Sequence, residues 1–374
     1  MFKGPDFSLP PPSASEPLTP TSCSPALVAD AVFEGGGMRA LAHIGALAVA
    51  EERGYRWGRL AGTSAGAMIA ALVAAGYSAA ELHAIMSAID YRRFADGIAD
   101  DRLHLHQVSQ LLFKLGLHSG NYLEQFMREL LQARGLRRFG DLRLPAADGP
   151  EAERGPRYRL TVIAADISRR RLLQLPQDLH SARASYGLDP DQLDIARAVR
   201  MSASIPFFYI PVTLQRPDGG LSYIVDGGLV SGFPLLSLMP ADGEAPRPLL
   251  GFHLCEGDSE DCSEGDDGDG DEGESAEAAQ AELAKLPLPG KLIAFSQALL
   301  ATMLSAHDRL FMLEQRSHWR GFMHTICIPV GKIGATRFDL KPSEVEALYR
   351  RGRAAAERFF FRQVTEGRQP PAAP

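Results

Sequence analysis

Apolar and polar positions along this chain follow two rhythms, and the switch between them falls at glycine-rich turns. Residues 28–33 (VADAVF) are a short apolar run that predicts a strand. Gly35, Gly36 and Gly37 break it, and Leu41, Ile44, Leu47 and Ala48 then recur at three- and four-residue spacing, which predicts a helix. The succession repeats at once. Leu60 and Ala61 lead into Gly62-Thr63-Ser64-Ala65-Gly66, and a second apolar helical run over 68–75 stops at Gly76. Consecutive strand-turn-helix units predict an α/β layered fold with a mainly parallel sheet.

Farther along, 79–134 is helical in spacing, either a cap over a site or a further core layer. Leu111, Leu112, Leu115 and Leu117 before Ser119-Gly120-Asn121 mark one helix end, and 122–131 supplies another amphipathic helix. The β-prone run 158–165 (YRLTVIAA), closed by Asp166, predicts a central strand. A short helix over 191–200 precedes a loop, 201–208, stopped by Pro206. Strands are predicted at 221–225, ending in Asp226-Gly227-Gly228, at 249–254 and at 322–330. Helical spacing returns over 290–318, and Ser343 with Glu346 reads as a capping box opening a last helix that runs to about residue 363.

Composition sets the boundaries. Residues 1–27 are rich in Pro, Ser and Thr and are expected to be a disordered leader; 256–285 is expected to be a flexible acidic insertion and 366–374 a disordered tail. This leaves 28–255 and 286–365 as one domain. With 374 residues and 45% hydrophobic content, the chain can bury a sizeable core. Its net charge of −7 is local in origin: residues 256–282 carry thirteen Asp and Glu and no Lys or Arg, so the remainder sums to +6. The acidic run fails as a calcium loop, because Glu272 stands where a glycine turn is needed and Ala278 where a bidentate Glu should sit. Cys23, Cys255, Cys262 and Cys327 form no CxxC pair and argue for a reducing compartment. No apolar run approaches the ~20 residues that span a bilayer. A cytoplasmic chain with peripheral membrane contact, and no nucleic-acid partner, is the expectation.

Chemistry concentrates at the two turns. Gly-x-Ser-x-Gly between strand and helix is a nucleophile elbow, with Ser64 as candidate nucleophile. Backbone N–H groups of Gly35, Gly36, Gly37 and Met38, at a helix start, form a concavity for an oxyanion. A dinucleotide loop fits less well, since Ala40 replaces the third glycine and no acid ends the next strand. For the base, His253, His307, His318 or His324 would complete a serine triad, and Asp226 at a strand end offers a direct carboxylate base.

Four blocks in order, FEGGGMR (33–39), GTSAG (62–66), SASIPFF (202–208) and DGG (226–228), together resemble the patatin-like phospholipases, and AHIGAL (42–47) resembles their bacterial members. The resemblance implies a three-layer fold with a mainly parallel central sheet flanked by helices. It implies a lipid acyl hydrolase acting on a phospholipid or another acyl-ester lipid through a Ser64–Asp226 dyad, with no metal, cofactor or catalytic histidine. Gly35, Gly36 and Gly37 correspond to the oxyanion block, Gly62, Gly66, Gly227 and Gly228 to motif glycines, and Arg39 to a position usually Arg or Lys, read as a substrate contact. Ala40 departs from the glycine common there. The alternatives are a Ser-Asp-His esterase and a catalytically idle membrane- or partner-binding module. Dependence on a protein activator is left open.

Overall fold

The computed structural model describes residues 27–95, 114–145, 157–179, 186–239, 247–255, 322–331 and 333–365. The leader, the acidic insertion, the 96–113 part of the helical stretch expected over 79–134, the helical spacing over 290–318, His307, His318 and the C-terminal tail lie outside the described residues.

The first unit is strand β1 (Leu27–Phe33), a short 3-10 turn (Gly37–Ala40) and helix α1 (Leu41–Glu52); the second is β2 (Tyr55–Thr63) and α2 (Ala65–Ala74). Both predicted helices form where the apolar spacing placed them. β2 begins five residues earlier than the apolar pattern indicates. Its first half (YRWGR) lies partly exposed near the sheet's rim, where polar side chains are tolerated. There follow α3 (Ala79–Ser87), β3 (Gly116–His118), α4 (Asn121–Ala133), β4 (Leu160–Asp166), β5 (Arg171–Leu175), α5 (Ile195–Ser202), β6 (Phe207–Tyr209), β7 (Val212–Gln215), β8 (Leu221–Asp226), β9 (Leu249–Cys255), β10 (Met323–Pro329) and α6 (Pro342–Thr365).

The main sheet runs β10-β9-β1-β2-β4-β8-β7, with β5 paired to β4. β10, β9, β1, β2 and β4 are parallel, and β5, β7 and β8 are antiparallel additions. Alternation along β1 divides its side chains between two faces. Ala31 and Phe33 join the large core beneath the helices, while Val32 joins a smaller cluster with Ala61, Phe233, Leu235 and Leu249. α6 lies across α1 so closely that a Cβ on Gly352 would meet the Ala42 carbonyl oxygen at 1.9 Å. Only hydrogen at that position lets the helix backbones touch.

Three local expectations are corrected. Leu117 belongs to strand β3 rather than to a helix end, because Gly116 and His118 pair with Phe207 and Tyr209. Helix α6 starts at Pro342, whose fixed φ and missing N–H suit the first turn; Glu344, not Glu346, reaches back to accept the Lys341 N–H at 2.8 Å. Cys255 is disulfide-bonded, which counts against the reducing surroundings inferred from cysteine spacing.

The register along β4 positions the site. β5 occupies one edge of β4 over residues 162–166, so β2, paired at 160–163, and β8, paired at 164–166, must share the other edge. β2 runs out to Thr63 opposite Ile163, and β8 runs in the contrary direction to Asp226 opposite Ala164. The two strand ends therefore meet head on at the C-terminal edge of the parallel sheet, where α/β folds place their ligand crevices.

Candidate active site

Ser64 sits between β2 and α2 with φ 54° and ψ −124°, a backbone conformation that a non-glycine residue holds only when its surroundings fix it. Two contacts do so. Its N–H donates to Ser202 Oγ at 2.8 Å, and Ser202 Oγ in turn donates to the Ile163 carbonyl at 2.5 Å. The neighbouring Gly66 leaves no room for a side chain, since a Cβ there would lie 2.3 Å from the Phe33 carbonyl oxygen. Thus the glycine turn after β1 and the elbow after β2 press backbone to backbone.

The Ser64 hydroxyl makes no cap to its own helix and instead donates to Asp226 Oδ2 at 2.6 Å. Asp226 Oδ1 accepts the Gly228 N–H at 2.8 Å, and the Asp226 N–H donates to the Ser204 carbonyl at 2.9 Å. Both side chains are nearly buried, Ser64 at 7% and Asp226 at 6% exposure. Burial pushes the Asp226 carboxyl up to about 6, against the opposing pull of the Ser64 and Gly228 hydrogen bonds. Such a carboxylate is poised to take and return a proton near neutral pH.

The predicted oxyanion block is narrower than its sequence suggests. The Gly35 N–H donates to the Gly232 carbonyl at 2.9 Å and the Met38 N–H to that of Ala335 at 2.9 Å. Gly36 and Gly37 remain, and among the described residues neither N–H is given to a backbone carbonyl. Gly37 has φ +54°, and a Cβ there would overlap the Ala335 carbonyl oxygen at 2.0 Å, so glycine is required. Arg39 folds back, its Nε donating to the Gly36 carbonyl at 3.4 Å.

An apolar cleft opens over Ser64, walled by Met38, Met68, Leu123, Ile205, Tyr209 and Phe338 among others. Two of its residues come from the aromatic loop IPFFYI. Phe338, from the segment between β10 and α6, stacks on Phe208 at 5.3 Å.

The candidate histidines among the described residues have other neighbours. His253 Nδ1 faces Glu34 Oε2 at 2.7 Å, and His324 is an edge-on neighbour of Phe359. His43 is fully buried, with Nε2 3.0 Å from the Glu34 carbonyl oxygen, and burial depresses its pKa to about 4.

Sequence reasoning assigned no role to Ser202, Ser204 or Arg200. The buried Arg200 guanidinium donates to the carbonyls of Ser119 and Ile210, each at 2.7 Å, and to Ser204 Oγ, tying the loop that carries Asp226's backbone partner. The SASIP block was the available signal for the serines. Arg200 had none, because an arginine on an amphipathic helix ordinarily points to water.

The sequence pattern of the patatin-like phospholipases matches residues 31–239, more than half of the chain and inclusive of both strand ends that meet at the site. The chain belongs to this family. Lipid acyl hydrolysis is accordingly its family-level activity. Over 341 residues it is 34% identical to YqhO of Bacillus subtilis strain 168, an uncharacterized protein; the match covers 90% of this chain and 99% of YqhO. Among solved structures it is similar to VipD of Legionella pneumophila, at 15% identity and TM-score 0.43, over 91% of this chain and 67% of VipD. It is also similar to the type III effector ExoU of Pseudomonas aeruginosa, at 17% identity and TM-score 0.41, over 91% of this chain and 54% of ExoU. Among the described residues of this patatin-like chain, no helix is long and apolar enough to cross a membrane.

Proposed function

We propose that the protein hydrolyses acyl esters of lipids, phospholipids foremost, with Ser64 as nucleophile and Asp226 as general base. The observation that carries this reading is the 2.6 Å Ser64–Asp226 hydrogen bond at the floor of an apolar cleft. Asp226 takes the hydroxyl proton as Ser64 Oγ attacks the ester carbonyl carbon. The negative charge that develops on the carbonyl oxygen is met by the Gly36 and Gly37 N–H groups. Collapse expels the alcohol, which leaves with the proton from Asp226, and the acyl group stays on Ser64. Water then attacks the acyl-enzyme, again giving its proton to Asp226, and the released Ser64 oxygen recovers it.

The substrate class follows from the walls of the cleft. An acyl chain matches the Met, Leu, Ile and Phe lining, and each CH₂ buried there contributes about 0.8 kcal/mol. Peripheral contact with membranes fits such a substrate. The test is fluorophosphonate labelling mapped by peptide mass spectrometry, alongside hydrolysis of p-nitrophenyl butyrate and of phospholipid vesicles. Labelling at Ser64, and loss of label and turnover in Ser64→Ala, are expected. Turnover by Ser64→Ala at the unmutated rate would overturn the assignment, and an open, folded protein that never labels would favour an idle binding module.

A further inference from the structure

A buried histidine holds the glycine turn from behind. β1 and β9 are parallel partners up to Phe33 opposite Phe252, and the ladder continues one bond farther, with the Glu34 N–H donating to the Phe252 carbonyl at 3.2 Å. The next rung of a parallel pair would run from the Leu254 N–H to the Glu34 carbonyl. That rung is replaced, because the Leu254 N–H donates to Glu34 Oε2. His43, on α1, takes the carbonyl instead, with Nε2 3.0 Å from the Glu34 oxygen.

The His43 ring is fully buried and set edge-on against Phe33 and Phe252, at 5.8 and 6.4 Å between centroids. Burial keeps it neutral near pH 7. A carbonyl only accepts, so Nε2 carries the ring's one proton, and Nδ1 is left buried without a hydrogen-bond partner among the described residues. An orphaned nitrogen costs stability, and the polar contact that the ring does make is to the peptide that opens the glycine turn.

That peptide is held at both ends, since the Gly35 N–H donates to the Gly232 carbonyl at 2.9 Å. It also lies against the elbow. A Cβ on Gly66 would stand 2.5 Å from the Glu34 oxygen, and one on Gly35 would stand 3.3 Å from Ser64 Cβ. We propose that His43 is a positioning residue for the oxyanion donors: its Nε2–H fixes the Glu34–Gly35 peptide, and through it the direction in which the Gly36 and Gly37 N–H groups face Ser64. His43 is not among the residues that line the cleft, so it acts through the turn and not on the substrate. The proposal deepens, and rests on, the reading of Ser64 as the nucleophile toward an acyl ester.

The test compares the parent with His43→Phe, which keeps a ring and loses the donor, and with His43→Gln and His43→Asn, two amides that differ by one CH₂ in reach. Circular dichroism establishes that each folds. With p-nitrophenyl butyrate, His43→Phe and His43→Asn should lower kcat roughly 10- to 100-fold at nearly unchanged KM, short of the roughly 100- to 1,000-fold for losing an oxyanion donor outright. His43→Gln, whose amide N–H reaches the Glu34 oxygen, should recover most of that loss. The rise of kcat/KM through about pH 6 should keep its midpoint in all three, because Asp226 stays dry; a loosened fold would wet Asp226 and lower the midpoint. An unchanged kcat in folded His43→Phe, an equal loss in His43→Gln and His43→Asn, or a shifted midpoint would overturn the proposal. Should His43→Phe not fold, the contrast between Gln and Asn decides by itself. If the parent hydrolysed no ester yet was labelled at Ser64 by a fluorophosphonate, the catalytic reading would fall, and labelling rates in the same order would still bear out the role of His43. A parent that neither hydrolyses nor labels would end both readings.

Discussion

Ser64 and Asp226, 162 positions apart in sequence, are joined by a 2.6 Å hydrogen bond because two strands end head to head along the same edge of β4. The contact is buried, and among the described residues no histidine is seen to mediate it.

If this pair is the catalytic unit, Ser64→Ala and Asp226→Asn should each lower kcat for a soluble acyl ester by about 10³-fold or more, and the double variant should be little worse than either. Steady-state kinetics on the three proteins, with mass spectrometry to exclude carry-over of unmutated enzyme, checks this.

The pH dependence has a definite sign. Asp226 acts as base only when ionised, so kcat/KM should rise through an apparent pKa of about 6 and level off above it. Stability runs the other way. A folded-state pKa raised from 3.8 to about 6 favours the native state while the group is protonated, and that advantage is lost as pH rises from about 4 through 6. The cost approaches about 3 kcal/mol at neutral pH. Asp226→Asn should therefore denature at higher urea than the parent at pH 8 and show no such gain at pH 4.

Ser202 is expected to position the nucleophile without touching substrate. Ser202→Ala leaves the Ser64 N–H and the Ile163 carbonyl without their buried partner, costing about 1–3 kcal/mol in chemical denaturation. The kcat should fall with KM unchanged, and Ser202→Thr should restore part of it, a split that loss of stability alone would not produce.

Phe338 lies outside the family-matched region yet walls the cleft. Phe338→Ala should raise KM for long-chain p-nitrophenyl esters several-fold to about tenfold through lost apolar contact, with kcat nearly unchanged. Phe338→Leu should fall between, as a chain-length series would reveal.

Much of this was legible in the sequence. The glycine turn and the Gly-x-Ser-x-Gly elbow sit where rhythm changes from strand to helix, and backbone chemistry at such turns is local. The missing parts are non-local. That Gly35 and Met38 spend their N–H groups on Gly232 and Ala335, leaving Gly36 and Gly37, depends on segments about 200 and 300 residues away. β5, β6 and β7 also escaped notice, because strands of three to five residues carry too few positions for a period to show.

By itself the sequence determined the α/β layering and the two glycine turns, since each follows from side-chain period or from glycine at a turn; it offered Ser64 through the elbow pattern and Asp226 through the family resemblance. Tertiary structure alone decided that the two strand ends meet, that the aspartate is dry enough to titrate near 6, and that an aromatic loop and Phe338 close one apolar wall. Register and burial arise from contacts between distant segments, and no local pattern in the chain encodes them.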